Sequence, residues 1–300
     1  MKYNWSVIGH EKQLELLERD LESGKLAHAY LLVGPNSIGK FTVARKLAGI
    51  LQCENDFCHN CRNCEQVEKN CHIDTIQMKG SRESLKIEDV RKLVERLSMS
   101  SQSRHTVVLI QTIERMTTEA ANSFLKILEE PPKKTIFIMT TNALKLLLPT
   151  VVSRVRLLKF NVVSVNYLHK KLREIYPDQD EEVIKKVSLL SLGKTGKAIS
   201  LMENPELLAK YIKIYHDVQN FLDHKNIHDR FAYVERLLEE ENQTDIFLGI
   251  LKNVLRTKIL GGDRASKKHI NTLSKIEDTG ILLKHNVNKR LALENLMINL

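Results

Sequence analysis

The residues that could do chemistry fall into two short stretches. The first is Tyr30–Thr42, YLLVGPNSIGKFT. Four apolar or aromatic residues (Tyr30, Leu31, Leu32, Val33) read as a buried strand. Gly34 to Lys40 fit G-x-x-x-x-G-K, and Val43, Ala44, Leu47 and Ala48 follow at helical spacing. Strand, glycine-bounded loop, lysine and helix make the context of a phosphate-binding loop. Backbone N–H groups bared at a helix N-terminus favour anions, and the lysine reaches the outer phosphates. The next position departs from that chemistry. Phe41 stands where a Ser or Thr hydroxyl would hold magnesium. Thr42 comes one place late, about a hundred degrees round the helix. Ser37 fills a position that is often glycine. Gly34, Gly39 and Lys40 are therefore read as a degenerate loop with weak or no ATP binding, and Mg2+ is not expected.

The second stretch holds Cys53, Cys58, Cys61 and Cys64, four of the five cysteines, spaced C-x4-C-x2-C-x2-C. Two-residue gaps let neighbouring thiolates turn onto one ion, and four thiolates close a tetrahedral site. Such bunching points to a structural Zn2+, not to disulfides. The first ligand is open: Cys53 sits at a helix end, and Cys71, His59 or His72 could take its place.

A third stretch matters for what it lacks. Val107, Val108, Leu109 and Ile110 form a strand that ends in Gln111 and Thr112. In P-loop ATPases that strand ends in Asp-Glu; the Asp holds the magnesium shell and the Glu prepares the attacking water. With both acids and the hydroxyl at position 41 gone, the chain should not hydrolyse ATP on its own. Glu114 is the remaining candidate acid, and strand geometry should point it elsewhere.

The elements that position these groups alternate. Helix is expected at His10–Ser23, from Lys40 to about Leu51, around Ile87–Leu97 and at Glu119–Glu130, which Pro131 and Pro132 end. Strands are expected at Tyr30–Val33, Asp74–Met78, Thr106–Thr112, Thr135–Thr141 and Val155–Phe160. Five strands alternating with helices give a parallel sheet covered on both faces, with Thr140, Thr141 and Asn142 at a tip that would face a bound phosphate. Beyond Phe160 the chain reads as helical. Asn204 caps a helix with Pro205 at its first position. Polar turns are expected near His224–Arg230 and Gly261–Lys268. A last helix starts near Asn286 and buries Leu293, Leu296, Met297 and Leu300. The implied domains are 1–161 with a metal insert at 53–64, 162–204 and 205–300.

Three hundred residues suggest two or three domains, and the 42% hydrophobic content is that of an ordinary globular chain. No apolar run has the length of a membrane span and the N-terminus lacks a signal-peptide core, so a cytoplasmic protein is expected. A net charge of +9 permits a nucleic-acid partner, although scattered surface lysines account for it equally well.

These motifs together resemble the clamp-loader subunits of the AAA+ class, and among them most the delta-prime subunits of bacterial DNA polymerase III. The resemblance runs the whole length. It is carried by VIGHEKQLELLERDLESGKLAHAYLLVGPNSIGK from Val7, the cysteine insert, ANSFLKILEEPP at Ala121–Pro132, TTN at Thr140–Asn142, LLPTVVSRV at Leu147–Val155 and the closing NVNKRLALENLMINL. It implies a RecA-like AAA+ domain, a small helical lid and a C-terminal helical collar. Ser153 and Arg154 match the Ser-Arg-Cys motif, with Val155 in place of its cysteine. In the family that arginine crosses to a neighbouring subunit's ATP. Gly196 stands near where active subunits carry a phosphate-sensing arginine. The resemblance thus implies a non-hydrolysing subunit of a DNA-directed DNA polymerase (nucleotidyltransferase) holoenzyme. Its partners would be the tau/gamma ATPase subunits and the delta subunit in a heteropentamer, the sliding clamp and primed DNA, with no membrane. Two alternatives stay open: an active ATPase motor of the same loader, and a zinc-dependent nucleic-acid-binding protein with a vestigial P-loop.

Overall fold

The structure is a computed structural model, and it describes all residues except 1, 79–83, 102, 224–225, 240–242, 261–265 and 284–286. The chain divides into two compact units. One is Met1–Ile175 with Gly193–Lys197; the other is Tyr176–Leu192 with Ala198–Leu300.

The first unit is built on five parallel strands. In chain order they and their helices are α1 (Glu11–Ser23), β1 (Ala29–Val33), α2 (Lys40–Gln52), α3 (Arg62–Glu68), β2 (Thr75–Gln77), α4 (Ile87–Leu97), β3 (Thr106–Ile110), α5 (Thr118–Glu129), β4 (Thr135–Thr141), α6 (Pro149–Val152), β5 (Arg156–Lys159) and α7 (Val165–Ile175). The sheet order is β2-β3-β4-β1-β5. Because successive side chains alternate between faces, strands apolar at every position feed two cores. Tyr30, Leu32, Val107, Leu109, Ile136 and Ile138 pack with Leu14 and Leu17 of α1 and Val43 and Leu47 of α2. Leu31, Val108, Ile110, Phe137 and Met139 pack with Val90 and Leu93 of α4 and Phe124 and Leu128 of α5. Parallel register puts the tips of β1, β3 and β4 side by side: Ile110 pairs with Met139, and Val33 with Thr141.

The expected elements are present, with shifted ends. Strand β3 stops at Ile110, two residues early, because Thr112 takes a left-handed backbone (φ 59°) and a single 3₁₀ turn follows at Ile113–Arg115. The cysteine insert carries α3, which the sequence did not signal.

The second unit is helical: α8 (Glu181–Ser191), most of α9 (Thr195–Glu203), α10 (Pro205–Asp223), α11 (Ile227–Glu239), α12 (Gln243–Leu260), α13 (Ser266–Leu282) and α14 (Lys289–Ile298). Asn204 caps α10 by accepting from Leu207 N at 3.0 Å, as Pro205 at its first position predicts. Helix α12 packs on α10 and α13, and α14 packs on α11. The buried Arg230 of α11 donates to Met297 O of α14 at 2.8 Å and to Phe221 O of α10. Helix α14 starts at Lys289, capped by Asn288, and buries Leu293, Leu296 and Met297. The expected start near Asn286 lies outside the described residues, as do parts of the turns expected at 224–230 and 261–268. Helix resumes at Ile227 and Ser266. Among the described residues, no helix is long and apolar enough to cross a membrane.

Tyr30 ties the sheet to its first helix. Its hydroxyl accepts from Ala27 N at 3.0 Å and donates to Asp20 of α1 at 2.8 Å, while Asp20 takes Arg156 of β5 at 2.6 Å. The substitution Tyr30→Phe keeps the ring and leaves the Ala27 N–H and one Asp20 oxygen without a partner, so it should cost about 1–3 kcal/mol. Urea unfolding followed through Trp5, the single tryptophan, reads this unit directly, because Trp5 is buried and donates to Glu18 at 2.9 Å.

Candidate functional site

The glycine loop leaves β1 at Val33 and enters α2 at Lys40. Its path has no room for side chains at two points. A Cβ on Gly34 would lie 2.3 Å from Phe160 O, and Gly39, at φ 88°, holds the left-handed turn into the helix. Lys40 is 7% exposed and folds back, donating to Gly34 O at 2.7 Å and Pro35 O at 2.6 Å. Burial lowers its pKa to about 8, with Lys194 lowering it further and Glu114 opposing. Phe41 turns into packing against the α1–α2 core, and Thr42 is exposed.

Three other pieces of this unit close on the loop. His10 Nε2 donates to Ile38 O at 2.9 Å, Thr195 Oγ1 donates to the same carbonyl at 3.1 Å, and Lys197 N donates to Ser37 O at 3.0 Å. Gly196 lies against the loop so closely that a Cβ would sit 3.0 Å from Ser37 O. Gly196, near where the resemblance places an arginine in active subunits, is thus in contact with the loop backbone. None of His10, Thr195 or Lys197 carries a local sequence signal for this contact. Burial lowers the pKa of Lys197 to about 8 as well.

The strand tips complete the site. Asn142 Nδ2 donates to Asn36 Oδ1 of the loop at 2.8 Å, so the Thr-Thr-Asn tip is no plain turn. Gln111 is exposed, and Thr112 N donates to Thr140 Oγ1 at 3.1 Å. Glu114 corrects the strand-geometry expectation. The left-handed Thr112 and the 3₁₀ turn swing its carboxylate back to the tip, where it accepts from Asn142 N at 3.0 Å. Its other oxygen is buried without a partner, and its charge reaches Lys40.

Ser153 and Arg154 follow α6. Ser153 Oγ donates to Thr150 O at 3.0 Å. Arg154 ion-pairs with Glu129 of α5 at 2.6 Å and donates to Thr150 O at 3.0 Å, with 35% of its side chain exposed. Glu129 belongs to the ILEEPP stretch, so two of the motifs read from the sequence meet in one ion pair.

The four thiols converge. Sγ–Sγ distances are 3.8 Å for Cys53–Cys58 and Cys53–Cys61, 4.0 Å for Cys58–Cys64 and 3.5 Å for Cys61–Cys64. A tetrahedral ion with Zn–S bonds of about 2.3 Å requires edges of about 3.8 Å. The donor set fits and could hold a metal ion, with Cys53 as its first member. His59 instead pairs with Glu68, His72 accepts from Asp74 N at 3.3 Å, and Cys71 is exposed. The Asn60 N–H lowers the Cys58 pKa to about 7, whereas burial raises that of Cys64.

A five-stranded parallel sheet in the order β2-β3-β4-β1-β5, with a glycine loop after β1 and a helical C-terminal region, is an α/β fold of the P-loop class. A DNA polymerase III gamma subunit-related protein from Thermotoga maritima MSB8 has the same fold, at TM-score 0.57 and 22% identity over 95% of this chain and 97% of that one. The family described as DNA polymerase III, delta subunit, matches residues 9–164, and the chain belongs to it. The DNA polymerase III subunit delta' of Bacillus subtilis strain 168 is 28% identical over 88% of this chain and 83% of its own. The subunit gamma of Buchnera aphidicola from Acyrthosiphon pisum is 31% identical over 68% of this chain, which spans 58% of that relative's length.

Two outcomes are expected. Chain purified without chelator carries one equivalent of metal by elemental analysis; Cys53→Ser and Cys64→Ser lose it and Cys71→Ser keeps it. Lys40 should also shape the pH dependence of stability. Its pKa falls from 10.5 to about 8 on folding, so between these values the unfolded chain binds more protons and stability rises with pH. Lys40→Met should flatten part of that rise in urea midpoints measured through Trp5.

Proposed function

We propose that this chain is a non-hydrolysing, delta-prime-like subunit of a DNA polymerase III clamp loader. The observation that carries the reading is a loop that keeps its fold among groups that cannot hold magnesium. Phe41 lies in packing, Gln111 and Thr112 follow the end of the strand, and Gly196 offers no cation. Phosphoryl transfer is almost wholly electrostatic positioning, so a site without these groups lacks its means. Family membership and the B. subtilis delta' similarity support the assignment.

What the chain retains sets its role. Arg154, braced by Glu129 and Thr150 O and partly exposed, crosses to a neighbouring subunit's ATP and stabilises charge on the γ-phosphate, with Ser153 beside it. The chain holds its place in a heteropentamer of tau/gamma and delta subunits through the collar helices of 205–300, with 162–204 as lid. The ring opens a sliding clamp and places it on primed DNA in the cytoplasm. The cysteine cluster holds a structural Zn2+ that pins the insert.

A second reading, an ATPase motor of the same loader, is favoured by the placement of Glu114 beside the Asn142 tip. Against it, that carboxylate already accepts from a backbone N–H.

The test is DNA-stimulated ATP hydrolysis by a loader rebuilt from this chain and its partners. Arg154→Ala should lose most of the rate with ring assembly intact by gel filtration. Glu129→Gln, which keeps the Thr150 contact, should retain most of it. An Arg154→Ala loader as fast as wild type contradicts the finger. Equal losses in both variants make the ion pair a structural brace.

A further inference from the structure

The parallel sheet has a second end. Opposite the glycine loop, the starts of β1, β3 and β4 floor an open cleft of about 1130 Å³. One wall is the end of α2 with the cysteine insert, and another is the Cys71–Ile73 stretch. Nothing in the loop chemistry or the Arg154 pair uses it.

Its lining is charged in one direction. Arg62, Arg96, Arg104 and Lys134 face Glu54 and Asp56, four cations against two carboxylates. Arg96 is held by Ile73 O at 3.1 Å, but among the described residues Arg104 pairs with Glu54 alone, at 3.8 Å, with 77% of its side chain exposed. A pair that long and that open is screened and leaves the guanidinium available. Lys134 and Arg62 are exposed as well. Deeper in, Gln52 donates to Asp74 O at 3.2 Å and His105 O at 3.0 Å, which fixes its amide and leaves its Oε1 buried without a partner. His105 Nδ1 is likewise buried and unpartnered. Leu26, Ile50 and Ile136 add apolar wall. Arginine forks match phosphate oxygens.

We propose that this cleft binds a nucleotide phosphate, presented by a free nucleotide or by the 5′-phosphorylated end of a DNA strand. The proposal is independent of the Arg154 finger and of whether the glycine loop turns over ATP.

The test is fluorescence anisotropy of the full-length, metal-loaded chain with a short 3′-labelled single strand carrying a 5′-phosphate. Arg104 and Lys134 are exposed, so the double variant Arg104→Gln/Lys134→Gln should fold, and Trp5 emission checks this. It should weaken binding about tenfold or more, since each charge-assisted hydrogen bond is worth about that factor. Lys185→Gln, a charge change on exposed α8, should not. Competition by AMP assigns the site to free nucleotides, and its absence with strand binding retained assigns it to strand ends. The proposal is overturned if wild type does not bind, if a 5′-hydroxyl strand binds equally, or if the double variant binds as wild type does. It is also overturned if binding disappears in Lys40→Met, because the phosphate then sits in the glycine loop, or if an acidic peptide competes as well as nucleotide.

Discussion

Two backbone carbonyls, those of Ser37 and Ile38, hold the first unit together at its centre. Ile38 O takes His10 from the start of α1 and Thr195 from 157 residues away, and Ser37 O takes the amide of Lys197. Each bond is worth roughly 0.5–1.5 kcal/mol net, and leaving the carbonyl of the buried Ile38 unpaired would cost more. These contacts all come from the chain itself, from the start of α1 and from the 193–197 segment. Gly196 is part of the same constraint, since a Cβ there would lie 3.0 Å from Ser37 O and the loop would have to give by a few tenths of an ångström. The loop that fits the phosphate-binding pattern is thus held in place by contacts from within its own unit.

The electrostatics follow from that closure. Lys40 is buried against the loop's own carbonyls, and its charge is disfavoured by desolvation. Glu114 lies near enough to oppose the shift, yet its carboxylate is engaged by the Asn142 amide. A magnesium-dependent site needs oxygen ligands grouped around one ion. Here the hydroxyl position is an aromatic ring and the strand tip presents an amide and a threonine. At the other motif the charge is conserved in number but shared: Arg154 is partly exposed and partly committed to Glu129. An arginine held in this way is pre-oriented at little entropic cost.

Much of this could be read from residue order alone. Strands apolar at every position announce a sheet buried on both faces, and the period-2 split of Leu31 from Leu32 into opposite cores follows from it. The C-x2-C spacings carry the cysteine cluster, because two-residue gaps already turn thiolates together. Cys53 was less legible, since its place depends on how α2 ends. Other features had no local signal. Thr112 is a non-glycine residue in a left-handed conformation, so nothing in its type foretells the turn that brings Glu114 back to the tip. His10, Thr195 and Lys197 meet the loop only through tertiary closure. The Arg154–Glu129 pair joins two motifs that the sequence presents separately.

The most direct test of a loop that keeps its form without its chemistry is single-turnover ATP hydrolysis with the isolated chain in excess over nucleotide and magnesium present. The account predicts no phosphate release above that of buffer, from wild type and from Glu114→Gln alike. Release by wild type that Glu114→Gln abolishes would contradict it, and would make the acid at the Asn142 tip the catalytic group of a working ATPase.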